Sequence, residues 1–291
     1  MNKSDFDKHI WETIIHFYWD HFPADEWKEN QMEAYWCRPD GEKQNLFQKP
    51  CQRIFARLIK SYQNTTWHQI QLSDKNNEKY SKDPNRRNLI TDPWFECEDI
   101  IKMVEGKYNA NDIQGEGFRD FCETALNIVK DKEFNNLKNY DFSQEQGDNF
   151  SILQKVISKE FYDKNELKVS AYEKIFYETL DEPYRTVMKM QKLLPGLGIA
   201  LTCDFLKESH LCNIAKPDVH ICHVFSVIDR IPYSMDLALV RRVAEFADKV
   251  CPSAENNFCG SGAYHVDKII WMICSKGRKK ELLKVLAEMT Q

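Results

Sequence analysis

The sequence predicts an all-α protein, and three observations lead to that fold class. Apolar residues recur at spacings of three and four along most of the chain, as they do on one face of an α-helix. Prolines, glycines and polar runs divide these periodic stretches into roughly ten segments of helical length. Only residues 67–72 alternate between polar and apolar in the manner of a strand.

The periodic pattern predicts two helices in the first part of the chain. The N-terminal helix starts at Ser4 and turns a stripe inward, and a second helix covers residues 51–62. The stripe consists of Phe6, Ile10, Ile14, Phe17 and Tyr18. In the second helix Ile54, Phe55, Leu58 and Ile59 are expected to be buried, with Lys49, Arg53, Arg57 and Lys60 in solvent. Further helices are expected at 116–129, 150–161, 171–180 and 184–193, after residues 198 and 218, and at 234–249, 265–274 and 278–289.

Two polar connections interrupt the helical pattern, at residues 73–93 and 131–149. The first is broken by Pro84 and Pro93 and predicts a long surface loop. The second ends near Gly147 and is the best candidate for a boundary. We therefore expect an N-terminal helical region over residues 1–149 and a C-terminal region over residues 150–291, with the two interleaved in one fold.

The composition indicates a soluble intracellular protein. The chain has 291 residues, of which 42% are hydrophobic and 29% charged, and no apolar run approaches the length of a membrane span. The N-terminus carries charges where a signal peptide has an apolar stretch. The ten cysteines lack paired spacing, as expected for reduced thiols. We expect a monomer without membrane contact that is cytoplasmic, nucleoid-associated or nuclear.

The charge distribution differs between the two parts of the chain. The net charge of −5 argues against a protein that coats nucleic acid. Residues 183–291, however, hold 15 Lys and Arg against 11 Asp and Glu. This basic part suits a surface that faces phosphates, and chance variation on a solvated surface would also explain it.

Four tryptophans lie within the first 36 residues: Trp11, Trp19, Trp27 and Trp36. Such a cluster can stack on bases of a nucleic acid. Aromatic residues at this density also form protein cores, and both interpretations stay open.

Residues 194–198, with the sequence Leu-Pro-Gly-Leu-Gly, break the periodic pattern between two predicted helices. Gly196 and Gly198 allow positive φ and a close approach of the backbone to a ligand. The first N–H groups of the following helix, near Ile199 and Ala200, can bind an anion. The segment therefore predicts either a sequence-independent phosphate contact or an ordinary turn between two helices.

The segment from Pro217 to Ile221 contains a second candidate site. Proline disfavours a helix in the residue before it, so Asp218 is predicted at or beside the N-cap of a helix with Val224, Phe225 and Ile228 on its apolar face. A carboxylate at this position caps the helix, and the helix dipole favours its ionised form. A purely structural cap and a catalytic carboxylate would occupy the same position.

The hairpin and Asp218–Ile221, about twenty residues later, together resemble the helix-hairpin-helix DNA glycosylase superfamily. The similarity is to the endonuclease III and adenine-mismatch glycosylase branch, whose motif is Leu-Pro-Gly-Val-Gly followed by Asp-Thr-His-Val, and it covers residues 183–230. It implies two helical lobes, one containing the helix-hairpin-helix motif, with an active-site cleft between them. It also implies a base-excision repair enzyme that flips a nucleotide out of double-stranded DNA and cleaves the bond between sugar and base.

The resemblance assigns roles to residues of this chain. Asp218 would be the catalytic carboxylate, which stabilises positive charge on the sugar, and His220 could hydrogen-bond near it or pack in the core. The hairpin carbonyls of Lys192, Leu194 and Leu197 would be able to hold Na⁺ or K⁺ against a phosphate. The DNA backbone would be bound by Pro195, Gly196, Leu197, Gly198, Ile199 and Ala200.

Two departures from the family pattern narrow the expected activity. Family members that cut the strand carry a lysine where this chain has Ala200, so the implied enzyme is monofunctional and uses water. Lys207 and Lys216 are the lysines that could replace it. Iron–sulfur relatives end in four cysteines at fixed spacing, whereas this chain has Cys251, Cys259 and Cys274 at other spacings. We expect no iron–sulfur cluster, and no zinc among Cys203, Cys212, His220, Cys222 and His223, which have no recognised zinc spacing.

The sequence also leaves two other functions open. One is a DNA-binding helical module that keeps the hairpin but performs no chemistry, and the other is a helical protein-interaction protein in which the hairpin is only a turn. The sequence does not select the excised base, which could be damaged, mismatched or otherwise modified.

Overall fold

The computed structural model of the chain describes residues 2–22, 49–73, 97–107, 116–135, 146–165, 170–209, 211–252 and 262–290. All regular secondary structure in these ranges is helical, which confirms the all-α class. Within the described ranges, every helix is too short or too polar to serve as a membrane span. The helices are α1 (Lys3–His21), α2 (Pro50–Ser73), α3 (Cys97–Val104), α4 (Glu116–Val129), α5 (Lys132–Asn135), α6 (Gln146–Asn165), α7 (Ala171–Thr179), α8 (Tyr184–Leu193), α9 (Ile199–Glu208), α10 (Val219–Asp229), α11 (Leu237–Val250), α12 (Gly262–Ile273) and α13 (Lys279–Met289), with a π-helical turn at Cys274–Arg278 between the last two.

The chain forms two compact units. The first combines Met1–Tyr35 with Cys212–Gln291, and the second is Trp36–Leu211. The N-terminal helix therefore belongs with the C-terminal helices. The boundary that the sequence suggests near residue 149 lies inside the second unit.

In the first unit, α1 contributes its predicted stripe to the core. Ile10, Ile14 and Tyr18 are fully buried, and they share an apolar cluster with residues from α10 to α13. Their spacing of four puts them on one helix face. Trp11 is also buried, with its ring edge-on to Phe246 at 6.3 Å, so it is a core residue and does not stack on bases.

The other three N-terminal tryptophans have different outcomes. Trp19 is exposed on α1, at 47% of its surface. Trp27 and Trp36 lie outside the described residues, as do residues 74–93 of the predicted surface loop.

A buried ion-pair network also joins three helices of the first unit. Arg242 of α11 donates to Asp229 at the end of α10 at 2.6 and 2.9 Å, and to Asp7 of α1 at 3.0 Å. Lys249 reaches the other oxygen of Asp7 at 3.1 Å. The two carboxylates compensate the guanidinium charge where little water reaches it.

The second unit is arranged around α2, which packs against α3, α4, α5 and α9. Its predicted apolar face is confirmed, because Ile54, Phe55, Leu58 and Ile59 are all buried. Farther along the chain, α8 packs against α6, α7 and α9. Ser170 and Glu173 form a capping box at the start of α7.

The prediction that Arg57 lies in solvent is wrong. Its side chain is 3% exposed, and its Nη2 lies 3.3 Å from Oδ2 of Asp204 on α9. The hydroxyl of Ser61 donates to the same oxygen at 2.9 Å. Helical periodicity places Arg57 on the polar face of α2, but it does not reveal that an acidic residue 147 positions later covers that face.

Two local expectations also differ from the structure. Residues 67–72, which alternate like a strand, lie within α2. The helix predicted to start at Ser234 starts after Asp236, whose carboxylate accepts hydrogen bonds from the N–H groups of Ala238 and Leu239. Aspartate is at least as good an N-cap as serine, and here it lies nearer to the apolar run.

Candidate functional site

The predicted hairpin is formed by α8, a short turn and α9. Leu194 ends α8, its N–H bonding to the carbonyl of Met190, and the N–H of Leu197 returns to the carbonyl of Leu194 at 3.1 Å. Leu194 and Leu197 are buried, whereas Pro195 and both glycines of the motif are exposed. The leucines therefore anchor the turn, and its glycine backbone faces solvent.

The two glycines of the hairpin have different structural roles. Gly196 has φ of +79°, and a Cβ built on it would lie 2.8 Å from Cε2 of Tyr62 on α2. Both the backbone angle and the tyrosine ring therefore require glycine here. Gly198 has φ of −72° and ψ of 176°, a conformation open to any residue. A Cβ on Gly198 would meet nothing within 4 Å.

The absence of a side chain at Gly198 has a consequence for α9. Gly198 is its N-cap residue and makes no side-chain cap. Its carbonyl accepts hydrogen bonds from the N–H and the hydroxyl of Thr202 at 2.9 and 3.0 Å. The N–H groups at the start of the helix, including those of Ile199 and Ala200, are then not capped by residue 198, and the space where its side chain would stand is open.

The predicted Na⁺ or K⁺ would be held by the carbonyls of Lys192, Leu194 and Leu197. The carbonyl of Leu194 accepts the N–H of Leu197. A carbonyl oxygen has two lone pairs, so this hydrogen bond leaves one of them for a cation. The cation stays a prediction.

Asp218 belongs to the first unit, where it is the N-cap of α10. Its Oδ1 accepts hydrogen bonds from the N–H groups of His220 at 2.8 Å and Ile221 at 3.0 Å. The predicted N-cap position is confirmed. No described residue donates a hydrogen bond to Oδ2, and the side chain is half-buried. One carboxylate oxygen is thus fixed by the helix, and the other remains for a further partner.

Lys279, the first residue of α13, and Cys274 of the π-helical turn lie near the start of α10. The ammonium of Lys279 is 3.4 Å from the carbonyl oxygen of Val219. Burial raises the pKa of the Cys274 thiol to about 12; the positive charge of Lys279 opposes the rise and the carboxylate of Asp218 adds to it. Cys274 is therefore a neutral thiol near pH 7, and it is a poor nucleophile beside the candidate catalytic carboxylate.

The two histidines that follow Asp218 differ in their exposure to solvent. His220 is half-buried and His223 is exposed. His220 bonds to Asp218 through its backbone N–H. A role of the imidazole near the candidate site stays a prediction.

Lys207 and Lys216, the lysines that could replace the nucleophile absent at Ala200, differ in burial and in their contacts. Lys207 is 3% exposed and forms an ion pair with Glu208 at 3.4 Å. Lys216 is half-buried, and its backbone N–H donates to Asp267 at 2.7 Å. A buried, paired lysine such as Lys207 is badly placed to attack a sugar, because it would first have to leave its partner.

The candidate metal ligands do not converge in the described part of the chain. Among those residues, no group of three or more His, Cys, Asp or Glu side chains could hold a metal ion. Cys203 and Cys212 are buried, Cys251 bonds to the carbonyl of Gly262, and Cys259 lies outside the described residues. The expectation that no iron–sulfur cluster or zinc is bound stays a prediction.

Three contacts of the helices that carry the candidate residues were not expected from the sequence: Tyr62 against Gly196, Asp204 with Arg57, and Lys279 at Val219. Each joins residues that are at least 60 positions apart. A periodic pattern identifies which residue faces inward but not which partner it meets there.

The chain matches no family model, no curated protein and no solved structure. The resemblance over residues 183–230 therefore stays a prediction.

Proposed function

We propose that this protein is a monofunctional DNA N-glycosylase that removes a damaged, mismatched or modified base from double-stranded DNA. The observation that carries the proposal is the state of Asp218. Two backbone N–H groups hold one of its carboxylate oxygens at the start of α10, and no described residue donates to the other. The hairpin supports the proposal, because its exposed glycine backbone at Gly198 leaves room for a phosphate.

The proposed reaction is a hydrolysis. The target nucleotide is flipped out of the duplex, and the bond between C1′ of the sugar and the base nitrogen breaks, with its electron pair leaving on the base. The carboxylate of Asp218 stabilises the positive charge that develops on the sugar. Water then attacks C1′ and gives a proton to Asp218, and transfer of that proton to the departed base, directly or through solvent, restores the carboxylate and leaves a free base and an abasic site. The cleft between two helical lobes that the family resemblance implies is part of this proposal.

The absence of a nucleophilic amine at position 200 supports hydrolysis without strand cleavage. Ala200 lies in the first turn of α9, where a lyase lysine is expected in related bifunctional enzymes. An alanine cannot form a Schiff base with the sugar. The abasic product should therefore remain uncut until alkali is added.

The experiment that tests the proposal uses duplexes that each carry one modified or mismatched base. Products are analysed with and without hot alkali, for the wild-type protein and for Asp218→Asn. We expect strand breaks only after alkali, on one or a few of the duplexes, and a loss of about 10²- to 10⁴-fold in the variant. Cleavage without alkali would contradict the role of water, and equal activity of the variant would contradict the role of Asp218.

A second candidate function is a DNA-binding module without catalysis. One observation favours it: both hydrogen bonds of Asp218 are those of an ordinary N-cap, so the residue is explained without chemistry. This function predicts salt-dependent binding to duplex DNA and no product on any duplex.

A further inference from the structure

A short basic turn connects α12 to α13. We define it as Ser275–Lys280, with the sequence Ser-Lys-Gly-Arg-Lys-Lys, which has four positive and no negative side chains. It follows a helix that is nearly all buried and passes through Gly277, which has φ of +87°. Residues 275–278 and Lys280 are exposed, and Lys279 is half-buried. The positive φ favours glycine and turns the chain so that these side chains stand in solvent.

The acidic residue closest in sequence neutralises only part of this charge. Glu281 accepts two hydrogen bonds from Arg278 at 2.8 and 3.1 Å, and it also lies 3.8 Å from the imidazole of His21. Among the described residues, no acidic side chain forms an ion pair with Lys276 or Lys280. Like charges at this density repel each other and slightly destabilise the fold. The chain as a whole has a net charge of −5, so this local excess of positive charge is not a general property of its surface.

The basic turn lies beside the end of α10 that carries Asp218. Helices α10 and α13 pack against each other. Their first residues are in contact, since the ammonium of Lys279 is 3.4 Å from the carbonyl oxygen of Val219, the residue after Asp218. Val219 is itself 39% exposed, so this end of α10 is open to solvent. A polyanion bound at the turn would therefore be held next to the candidate catalytic carboxylate.

We propose that the basic turn Ser275–Lys280 binds phosphates of the DNA duplex, and that Lys276 and Lys280 are its principal contacts. The inference rests on the proposed function, since it assigns the DNA to the Asp218 end of α10. Asp218 and the overall net charge both repel DNA, and a local group of cations compensates that repulsion where the strand has to approach. Lysine ammonium groups on flexible side chains make contacts that do not depend on base sequence. Such contacts suit an enzyme that must bind the duplex around any target base.

The test compares two double variants that remove the same charge. Lys276→Gln with Lys280→Gln alters the basic turn and leaves Lys279 in place. The control is Lys3→Gln with Lys8→Gln, two exposed lysines of α1. The control lysine Lys3 lies away from Asp218. It is close enough to Asp229 to lower the pKa of that carboxyl, and Asp229 is at the opposite end of α10 from Asp218, about 15 Å away along the helix.

Binding of each protein to an unmodified duplex is measured by fluorescence anisotropy at salt concentrations from about 50 to 200 mM. Each phosphate contact contributes a slope of about −0.9 in a plot of log K against log salt. We expect the slope of the basic-turn variant to be less negative than that of the wild type by about 1.8, and the slope of the control to be unchanged. All the altered side chains are exposed, so the thermal unfolding temperatures of the three proteins should differ only slightly.

The outcomes separate this inference from the proposed function. Wild-type binding that depends on salt, with the same slope in the basic-turn variant, would overturn the phosphate contact and leave the glycosylase proposal standing. Equal losses in both variants would also overturn it, because only net charge would then matter. A wild-type protein without salt-dependent affinity for DNA would overturn both. Binding of the basic turn to anionic lipid vesicles, with no DNA affinity, would assign it to a membrane surface instead.

Discussion

The ring of Tyr62 fills the space that a side chain at Gly196 would need. A Cβ at position 196 would lie 2.8 Å from Cε2 and 3.2 Å from the hydroxyl oxygen of Tyr62. The ring cannot easily move away, because its centroid is 5.0 Å from that of Phe118 and 4.4 Å from that of Phe121. The first glycine of the hairpin is therefore fixed by packing within the second unit, whatever the hairpin binds.

Gly196→Ala should destabilise the protein strongly. The positive φ costs a residue with a Cβ about 1–2 kcal/mol, and the overlap with Tyr62 adds about 1–3 kcal/mol. Urea unfolding of the variant measures the sum. Repeating the substitution in a Tyr62→Ala background is the control, since only the backbone cost should then remain. An equal cost in both backgrounds would show that the tyrosine ring is not the obstacle.

Gly198→Ala should leave the fold intact but weaken DNA binding. The backbone angles suit alanine and its Cβ meets nothing within 4 Å, so the expected change in unfolding free energy is below about 1 kcal/mol. A phosphate at the start of α9 would meet the new methyl group, and we expect roughly tenfold weaker binding. Anisotropy titrations with a short duplex measure this. Unchanged affinity would mean that the phosphate does not approach Gly198.

The two functions considered for Asp218 predict different results for its substitutions. Asparagine is as good an N-cap as aspartate, so Asp218→Asn should unfold at nearly the wild-type denaturant concentration, whereas Asp218→Ala should lose about 1 kcal/mol. If the carboxylate is catalytic, both variants lose base excision. Activity that follows stability, retained in Asn and reduced in Ala, would show that Asp218 acts only as a helix cap.

Several helices were predictable because their signals are local. The bounds of α4 and α8 agree with the predicted residues, and Asp218 caps α10 as expected. In each case an apolar period and a neighbouring proline, glycine or capping residue determine the element within a few residues. Helix 51–62, by contrast, was predicted too short, because its continuation to Ser73 has too few apolar residues to show a period.

The contacts between the helices around the hairpin were not predictable, because their signals are not local. Tyr62 gives no sign in the sequence that it packs on Gly196, and Arg57 gives none that it meets Asp204. Such pairs depend on how helices pack, which a single sequence does not encode in its local pattern. The basic turn is an intermediate case. Its four cations are visible in the sequence, but their position beside Asp218 is not.

Loss of one member of the buried pair Arg57 and Asp204 should be costly. Both side chains are at least 93% buried, and the carboxylate also accepts the hydroxyl of Ser61. Asp204→Ala leaves a buried guanidinium without this partner and should cost about 3–5 kcal/mol. Replacing both residues, as Arg57→Met with Asp204→Leu, should cost clearly less than the sum of the single substitutions. Additive costs in urea unfolding would contradict a direct interaction.

The ion pair between Asp229 and Arg242 should make stability depend on pH in acid. Burial alone would raise the pKa of Asp229, but hydrogen bonds from Arg242 and Tyr233 outweigh burial and hold it below its ordinary value. Between that lowered pKa and about pH 4, the unfolded state binds more protons than the folded state, so the unfolding free energy falls as the pH falls. Above about pH 4 the contribution of the carboxylate is fully present.

Asp229→Asn tests this sign. Near neutral pH the variant should be less stable than the wild type by about 2 kcal/mol, the value of a hydrogen bond to a charged group. The difference should shrink as the pH is lowered below about 4, because the wild-type carboxyl then becomes protonated as well. Asp20→Asn, which removes an exposed carboxylate from α1, is the control and should change stability little at any pH. A wild-type advantage that stays constant down to about pH 3 would show that Asp229 contributes through its shape and neutral hydrogen bonds, not through its charge.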